Sequence, residues 1–513
     1  MAIVEALPAS SENQRRRLRL RNVVSLEPIG EIEVQPAAEV RAAVERARKA
    51  QPAWAALSVE KRAGYLRRVL KILIERQEDV IETVIRETGK TRTEAIQMEV
   101  FAACDSLSYH AKRAAKTLAP KARSLHGVMR FMKKLTIHHV PLGVVGVITP
   151  WNGPFILALN PVAQALVAGN AVLLKPSEVT PFSAQLLVEF FEQAGLPEGV
   201  LQILMGDGET GAALCEAGVN KVTFTGSVAT GRKVAEACAR QLIPCTLELG
   251  GKDPMIVCAD ANIESAAAGA LAGAYMNTGQ YCCGTERVYV VDSIADEFIE
   301  EVVKRAAVLR QGDKGESDIG AIFWPNQMTV IETHMQDAIE KGATVRVGGR
   351  RNPNFDGFFY EPTVLTDVTH DMQIMVDETF GPILPIMRVR DEEEAVKHAN
   401  DTRYGLGATV WTEDEFKANQ LAQRLEAGSV CINDMTVTYG ISEAPFGGRK
   451  NSGLGQVNGE NGVLGYCYQL PVIHDRFKGK NSRDFYPFST KKDEGTQKAV
   501  GFLFGTSIGR WLS

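Results

Sequence analysis

Cys282 lies in the stretch Asn277-Thr278-Gly279-Gln280-Tyr281-Cys282-Cys283-Gly284, after a run of small residues, Ala266 to Ala274, that reads as a buried helix. The strand formers Arg287 to Val291 follow. A cysteine at such a corner, with glycine on both sides, stands where backbone can come close to a ligand. Its thiolate would be a nucleophile, although a free cysteine is more often a small buried hydrophobe. Glu248 sits inside the apolar run Thr246-Leu247-Glu248-Leu249. A carboxylate is rare in such a place without a partner or a task. Desolvation raises its pKa, which suits a general base, and a structural ion pair is the other reading. Asn152, between Trp151 and Gly153-Pro154, has an amide that can donate to a developing oxyanion, or is a turn asparagine.

Other motifs fit a dinucleotide. Phe224-Thr225-Gly226-Ser227 joins a strand to a helix, where Ser227 and the first helical amides can hold a phosphate or merely cap the helix. Leu174-Lys175-Pro176-Ser177-Glu178 ends another strand. Lys175 and Glu178 can bond ribose hydroxyls, and Glu178 would repel a 2′-phosphate, or the two form an ion pair of little worth. Gly206-Asp207-Gly208-Glu209-Thr210-Gly211 has the formal GxGxxG spacing, but Gly231-Arg232-Lys233 stands where the ribose-binding acid belongs, so it reads as a tight turn.

These residues need a scaffold of strand ends. From Gly143 to Leu249 short apolar β-branched runs alternate with helices, the pattern of a parallel sheet covered on both faces. A second α/β region runs from Met255 to about Gly440, with strands expected at Met255-Val257, Val288-Val291, Thr344-Val347, Ile383-Arg388 and Ala408-Val410. Residues 36 to 116 read as helical, Met129 to Val140 as an alternating edge or hairpin, and Tyr466 to Ile473 as a strand. The basic cluster Arg15-Arg16-Arg17 reads as a solvated arm.

The bulk properties bound the answer. A chain of 513 residues is too long for one core, so two or three domains are expected. A net charge of −5 gives no electrostatic case for nucleic acid. Nine cysteines without CxxC or zinc spacing indicate neither a metal nor a disulfide framework, and a reducing, cytoplasmic location fits. No apolar run is long enough to span a bilayer.

Taken in order, Pro150-Trp151-Asn152, Lys175-Pro176-Ser177-Glu178, Phe224-Thr225-Gly226-Ser227, Leu247-Glu248-Leu249-Gly250-Gly251-Lys252, Gly279-Gln280-Tyr281-Cys282, Glu378-Thr379-Phe380-Gly381-Pro382 and Pro445-Phe446-Gly447-Gly448 resemble the aldehyde dehydrogenase superfamily. The resemblance runs from about Ile32 to Ile473. It implies an α/β fold: a Rossmann-like dinucleotide domain (1–120 and 142–250), a catalytic domain (251–450) and an oligomerisation β-arm (121–141 and 451–478), followed by a tail (479–513) amphipathic from 499. It implies Cys282 as nucleophile, Glu248 as the base that hydrolyses a thioester, and Asn152 as oxyanion donor. Cofactor contacts implied are Thr149, Pro150, Trp151, Lys175, Ser177, Glu178, Gly226, Ser227, Leu249, Glu378 and Phe380, with NAD favoured over NADP because of Glu178. No metal is implied. A homodimer or homotetramer is implied, since the arm exchanges between subunits. Two departures stand out: Tyr281 beside the nucleophile, and Cys283-Gly284-Thr285-Glu286-Arg287 in place of the commoner small-residue run ending in Ser-Arg. Ile432-Asn433-Asp434 and the long tail resemble a branch with plant and fungal membrane-anchored members, whose apolar N-terminal anchor is not seen here.

Gly153, Ile156, Leu157, Asn160, Tyr281 and Tyr439 are expected in the substrate tunnel. None is basic, so a neutral aliphatic or aromatic aldehyde is expected. Succinate semialdehyde or an amino-aldehyde as substrate, an acylating member of the family, and a non-enzymatic protein that keeps the fold are the alternatives. The tail residues Val500, Leu503, Phe504, Ile508, Trp511 and Leu512 have helical spacing, interrupted by glycines. Packing on the protein's own oligomer is favoured over a peripheral membrane contact.

Overall fold

The computed structural model describes residues 3–7, 15–312, 315–435, 437–478 and 486–512. Short β-branched runs form a first sheet in the order Gly453–Leu454, Cys245–Glu248, Lys221–Thr225, Val144–Ile148, Ala171–Lys175 and Leu201–Ile203. Every pairing is parallel except that of Gly453–Leu454, which runs against Cys245–Glu248. Val144–Ile148 and Ala171–Lys175 are buried at every position, as a sheet with helices on both faces requires. Helix Ile156–Ala168 is likewise buried throughout. It packs against helices Ala102–Leu118, Val59–Glu75 and Gly459–Leu464 and against the sheet.

Chain order reverses across the pair Val144–Ile148 and Lys221–Thr225: the next strands in sequence lie on opposite sides. In open α/β sheets ligands bind outside the carboxyl ends of the strands at such a switch. The residues that follow these two strands are Thr149-Pro150-Trp151 and Gly226-Ser227.

Gly250-Gly251-Lys252 leads into a second sheet, ordered Thr344–Val347, Thr363–Thr366, Ile383–Val389, Thr285–Val291, Asp253–Val257, Gly407–Trp411 and Ser429–Ile432. It is parallel apart from its Thr344–Val347 edge. Cys282 and Glu378 precede neighbouring strands of this sheet, Thr285–Val291 and Ile383–Val389. A third, antiparallel sheet joins Cys467–Asp475, Lys133–Pro141 and Lys121–Arg123.

Several expectations need correction. Arg15 to Arg17 do not lead a solvated arm: Arg17–Arg21 is the middle strand of a sheet with Val4–Leu7 and Pro28–Glu33. Leu18 and Leu20 are buried there, and Arg16 pairs with Asp207 and Glu209. Residues 451 to 466 do not belong to the arm, because Gly453–Leu454 extends the first sheet and Gly459–Leu464 packs on helix Ile156–Ala168. Met129–Met132 is a helical turn, and the strand starts at Lys133. The tail forms helices at Thr490–Gly505 and Ser507–Leu512.

Candidate active site

The loop that carries Cys282 is held in a costly shape. Asn277, Thr278 and Gly279 are consecutive left-handed residues, with φ of 58°, 57° and 70°. Each non-glycine residue there costs about 1–3 kcal/mol, so the surroundings must fix the loop. They do so through buried polar groups. The Asn277 amide donates to Glu94 Oε1 at 2.6 Å, and its Nδ2 donates to the carbonyls of Asn152 and Gln280, both at 2.9 Å. Gln280 Nε2 donates to Asn277 O and Ala321 O, and Gln280 Oε1 accepts from the Phe323 amide at 2.8 Å. The flanking glycines serve backbone packing, not approach to a ligand as expected. A Cβ on Gly279 would lie 2.1 Å from the Gly381 carbonyl oxygen, and one on Gly284 would lie 2.9 Å from the Gly273 carbonyl oxygen.

Cys282 is half-buried, and Cys283 beside it is buried. A hydrogen bond from the Cys283 thiol draws the Cys282 pKa down, whereas burial pushes Cys283 well up. Glu248 ends the strand Cys245–Glu248. Both its carboxylate oxygens are buried with no hydrogen-bond partner among the described residues. Desolvation, reinforced by Cys282, raises its pKa well above the ordinary carboxylate value. Among the described residues no cation pairs with it, which speaks against the ion-pair reading. Asn152 is tied on both sides: Nδ2 donates to Gln280 O at 3.0 Å, and its carbonyl accepts from Lys90 Nζ at 3.3 Å and from Asn277.

Cys282 and Asn152 form a wall shared by two cavities. One, of about 770 Å³, is also lined by Pro150, Trp151, Gly226, Ser227, Glu248, Leu249, Glu378 and Phe380. Through Pro150, Trp151, Gly226 and Ser227 it joins a cleft of about 1410 Å³ that includes Thr149, Lys175, Ser177 and Glu178. The other, of about 870 Å³, is lined by Gly153, Ile156, Leu157, Tyr281 and Tyr439 together with Met98, Met276, Met435 and Val437. Asn160 does not line it. It lies behind Tyr439 in a buried polar cluster, bonded to Ser106, Gln164 and Asn458.

The cleft suits a dinucleotide. Thr149 Oγ1 is buried without a partner among the described residues. Ser227 caps helix Val228–Gln241, whose N-terminus favours an anion. Lys175 Nζ stands 3.2 Å from Glu178 Oε2. Helix Gly208–Glu216 lines the same cleft, but Asp207 already caps its first turn and pairs with Arg16, which leaves no place for phosphate there.

Sequence reading missed the buried pairs behind these groups. Lys90 and Glu99 form a fully buried ion pair at 2.6 Å, and Glu99 also accepts from the amides of Phe155 and Ile156. Lys252, also fully buried, pairs at 2.5 Å with Glu286, whose side chain is 11% exposed. Neither follows a helical or strand period, and only the odd Glu286 in its motif was a signal. One group, Cys258, Asp260 and Glu392, gathers metal-type ligands, but Lys417 Nζ lies 3.0 Å from Asp260 and 3.5 Å from Glu392 and supplies the cation.

The model of the aldehyde dehydrogenase family matches residues 10–470. The chain belongs to the aldehyde dehydrogenase family. The chain is 39% identical over 477 residues to the 4,4′-diapolycopene aldehyde oxidase of Methylomonas sp, covering 93% of this chain and 89% of that protein. It is 35% identical to a Mycobacterium tuberculosis aldehyde dehydrogenase solved with NAD+, at a TM-score of 0.85 over 91% of this chain and 95% of that one. It is 33% identical to a succinate-semialdehyde dehydrogenase from Burkholderia pseudomallei, at a TM-score of 0.86 over 90% and 94%. The aldehyde dehydrogenase fold is therefore shown, and with it NAD(P)-dependent oxidation of an aldehyde.

Proposed function

We propose that Cys282, Asn152 and Glu248 oxidise a neutral aldehyde to its carboxylic acid, with NAD as the preferred cofactor. The observation that carries this is the shared wall: the nucleophile and the oxyanion donor face an apolar chamber on one side and the dinucleotide cleft on the other. The Cys282 thiolate adds to the aldehyde carbon, and the carbonyl electron pair moves onto oxygen. Asn152 Nδ2 and the Cys282 N–H hold that oxyanion. Asn152 has one amide hydrogen on Gln280 O and a second for this task. NAD, when bound, supplies the acceptor for the hydride that the thiohemiacetal loses on becoming a thioester. Glu248 then takes a proton from water as the oxygen attacks the thioester, and the Cys282 thiolate leaves. The two unpartnered oxygens of Glu248 are free to accept that proton.

Lys175, Ser177 and Glu178 would hold the adenosine ribose, and Gly226, Ser227 and the helix behind them the pyrophosphate. Thr149, Pro150, Trp151, Leu249, Glu378 and Phe380 would enclose the nicotinamide side. Trp151 and Phe380 meet edge to face at 5.5 Å. Glu178 disfavours a 2′-phosphate, while Lys175 beside it leaves NADP a weaker second choice.

The chamber supports a neutral substrate. Among the described residues its lining contains no arginine or lysine, and one acid, Glu99, which is turned onto Lys90 and two amides. A buried substrate carboxylate would find no counter-charge. Three methionines give the wall room to adapt to apolar chains. The Methylomonas relative is named for 4,4′-diapolycopene aldehyde. The similarity to a succinate-semialdehyde dehydrogenase is the observation behind the second reading. An aldehyde panel read by NADH and NADPH absorbance separates them. Medium and long neutral aldehydes with NAD should give the highest kcat/KM, and succinate semialdehyde turned over much faster than a neutral aldehyde of equal length would overturn the reading.

The strand Cys467–Asp475 exposes Tyr468, Leu470 and Ile473, which supports self-association through the arm as a dimer or tetramer. A monomer mass by sedimentation velocity would refute it. The helices Thr490–Gly505 and Ser507–Leu512 expose Val500, Phe502, Phe504, Ile508 and Trp511 and fit a cover on a neighbouring subunit. No helix among the described residues is long and apolar enough to cross a membrane. Co-sedimentation of the full chain with liposomes would favour the membrane instead. Free cysteines at all nine positions, with Cys282 needed as a thiolate, fit a reducing cytoplasm.

A further inference from the structure

We infer that Glu286 is a positioning residue for hydride transfer: it clamps the loop Glu378-Thr379-Phe380 to the strand that follows the nucleophile. This rests on the assignment of that loop to the nicotinamide side of the cleft. Glu286 lies in the strand Thr285–Val291, which starts just after Cys282 and pairs in parallel with Ile383–Val389. Its carboxylate accepts from the Thr379 amide at 2.9 Å and from the Phe380 amide at 2.9 Å. It also accepts from Lys252 Nζ at 2.5 Å, and Lys252 donates onward to Thr379 Oγ1 at 3.2 Å. Lys252 is fully buried, and its backbone carbonyl accepts from Arg287 Nε at 2.9 Å. One carboxylate thus binds two successive loop amides and a buried ammonium.

The loop needs such a hold. Phe380 is left-handed with φ of 52°, a conformation that a bulky side chain adopts only under constraint. Glu378 and Phe380 line the cavity that contains Cys282 and Glu248. Glu378 Oε1 also accepts from the Gly251 amide at 3.1 Å, so the loop is pinned at both ends. Glu286 touches none of the reacting groups. Its effect passes through the loop backbone, and it therefore sets where the nicotinamide ring is held relative to Cys282, not whether the thiol can attack.

That distinction gives the test. Two variants, Glu286→Gln and Glu286→Asp, are compared with the parent enzyme. Gln leaves Lys252 without its counter-charge. Asp keeps the charge, so it remains the deciding variant if Gln fails to fold, but its shorter side chain cannot span both loop amides and Lys252. NADH affinity is read by fluorescence titration. Hydrolysis of p-nitrophenyl acetate without dinucleotide reads Cys282 and Glu248 alone. Loss of charge-assisted bonds to the loop should weaken NADH binding about tenfold. Ester hydrolysis should stay within about a factor of two, because the acyl chemistry needs no loop contact. A primary deuterium isotope effect from a 1-deuterated aldehyde should rise as hydride transfer becomes limiting. Unchanged NADH affinity in both variants would overturn the proposal. So would ester hydrolysis that falls in step with NADH affinity, since that marks collapse of the whole site. Cys282→Ala is the separate control: ester hydrolysis surviving it would refute the underlying assignment of the nucleophile, and the clamp with it.

Discussion

Glu248 shows how one residue's surroundings set its chemistry. It ends an apolar strand, both its oxygens lack partners among the described residues, and burial raises its pKa well above the usual value. The shift moves the pH range over which Glu248 becomes a base upward from that of an ordinary carboxylate. The sign for folding is the same: stability from this group is present at low pH and fades as pH rises through its folded-state pKa. Thioester hydrolysis should accordingly reach its plateau at a higher pH than an ordinary glutamate would allow. An ordinary glutamate near 4.3 would give a plateau by about pH 6. Deacylation rates from pre-formed acyl-enzyme across pH check this, and a flat profile above pH 6 would contradict it. Glu248 was legible in the sequence because an acid in an apolar run is conspicuous. Asn160 was misplaced because a helix interval cannot tell a cavity wall from a residue one layer behind it. Glu286 was noticed as a departure, but its partners are the amides of residues 379 and 380, which no local pattern connects to it.

At the scale of elements, the site is a meeting of strand ends and the loops after them. Glu248 comes from the carboxyl end of a first-sheet strand and Cys282 from the entry to a second-sheet strand. Most of these strands were legible, since fully buried parallel strands leave unbroken apolar runs. The strand Arg17–Arg21 was not, although Arg-Leu-Arg-Leu-Arg alternates strictly, because its charges were read as a block and not as the outer face of a period of two. Thr363–Thr366 and Ser429–Ile432 were not read as strands, although each is as long as Thr344–Val347, which was. Lys90 and Glu99 lie on either side of a helix start, nine residues apart, and their pairing depends on tertiary packing. Lys90 Nζ also steadies the Asn152 carbonyl, so Lys90→Met should do two things. It leaves Glu99 as an unpaired buried charge, which costs about 3–5 kcal/mol. It also loosens Asn152, the proposed oxyanion donor, so kcat should fall more than KM rises. Thermal unfolding with steady-state kinetics checks both, and a variant that loses neither stability nor kcat would show the pair to be incidental.

At the scale of the whole molecule, two sheets joined through Gly250-Gly251-Lys252 bring an apolar chamber and a dinucleotide cleft to opposite sides of Cys282 and Asn152. The order of motifs along the chain conveyed this arrangement, because every motif but Pro445-Phe446-Gly447-Gly448 lies at the end or the start of a parallel strand. Where the arm gives way to the first body was not conveyed, since Gly453–Leu454 joins that sheet antiparallel and far from it in sequence. The central claim is that acyl transfer to Cys282 and hydrolysis by Glu248-activated water are separate steps. Glu248→Gln should stop the second and spare the first. Mixed with NAD and a neutral aldehyde, that variant should release a single burst of NADH, about one per subunit, and intact-protein and peptide mass spectrometry should find one acyl group on Cys282. Steady turnover without a burst, or an adduct on any other residue, would contradict the account.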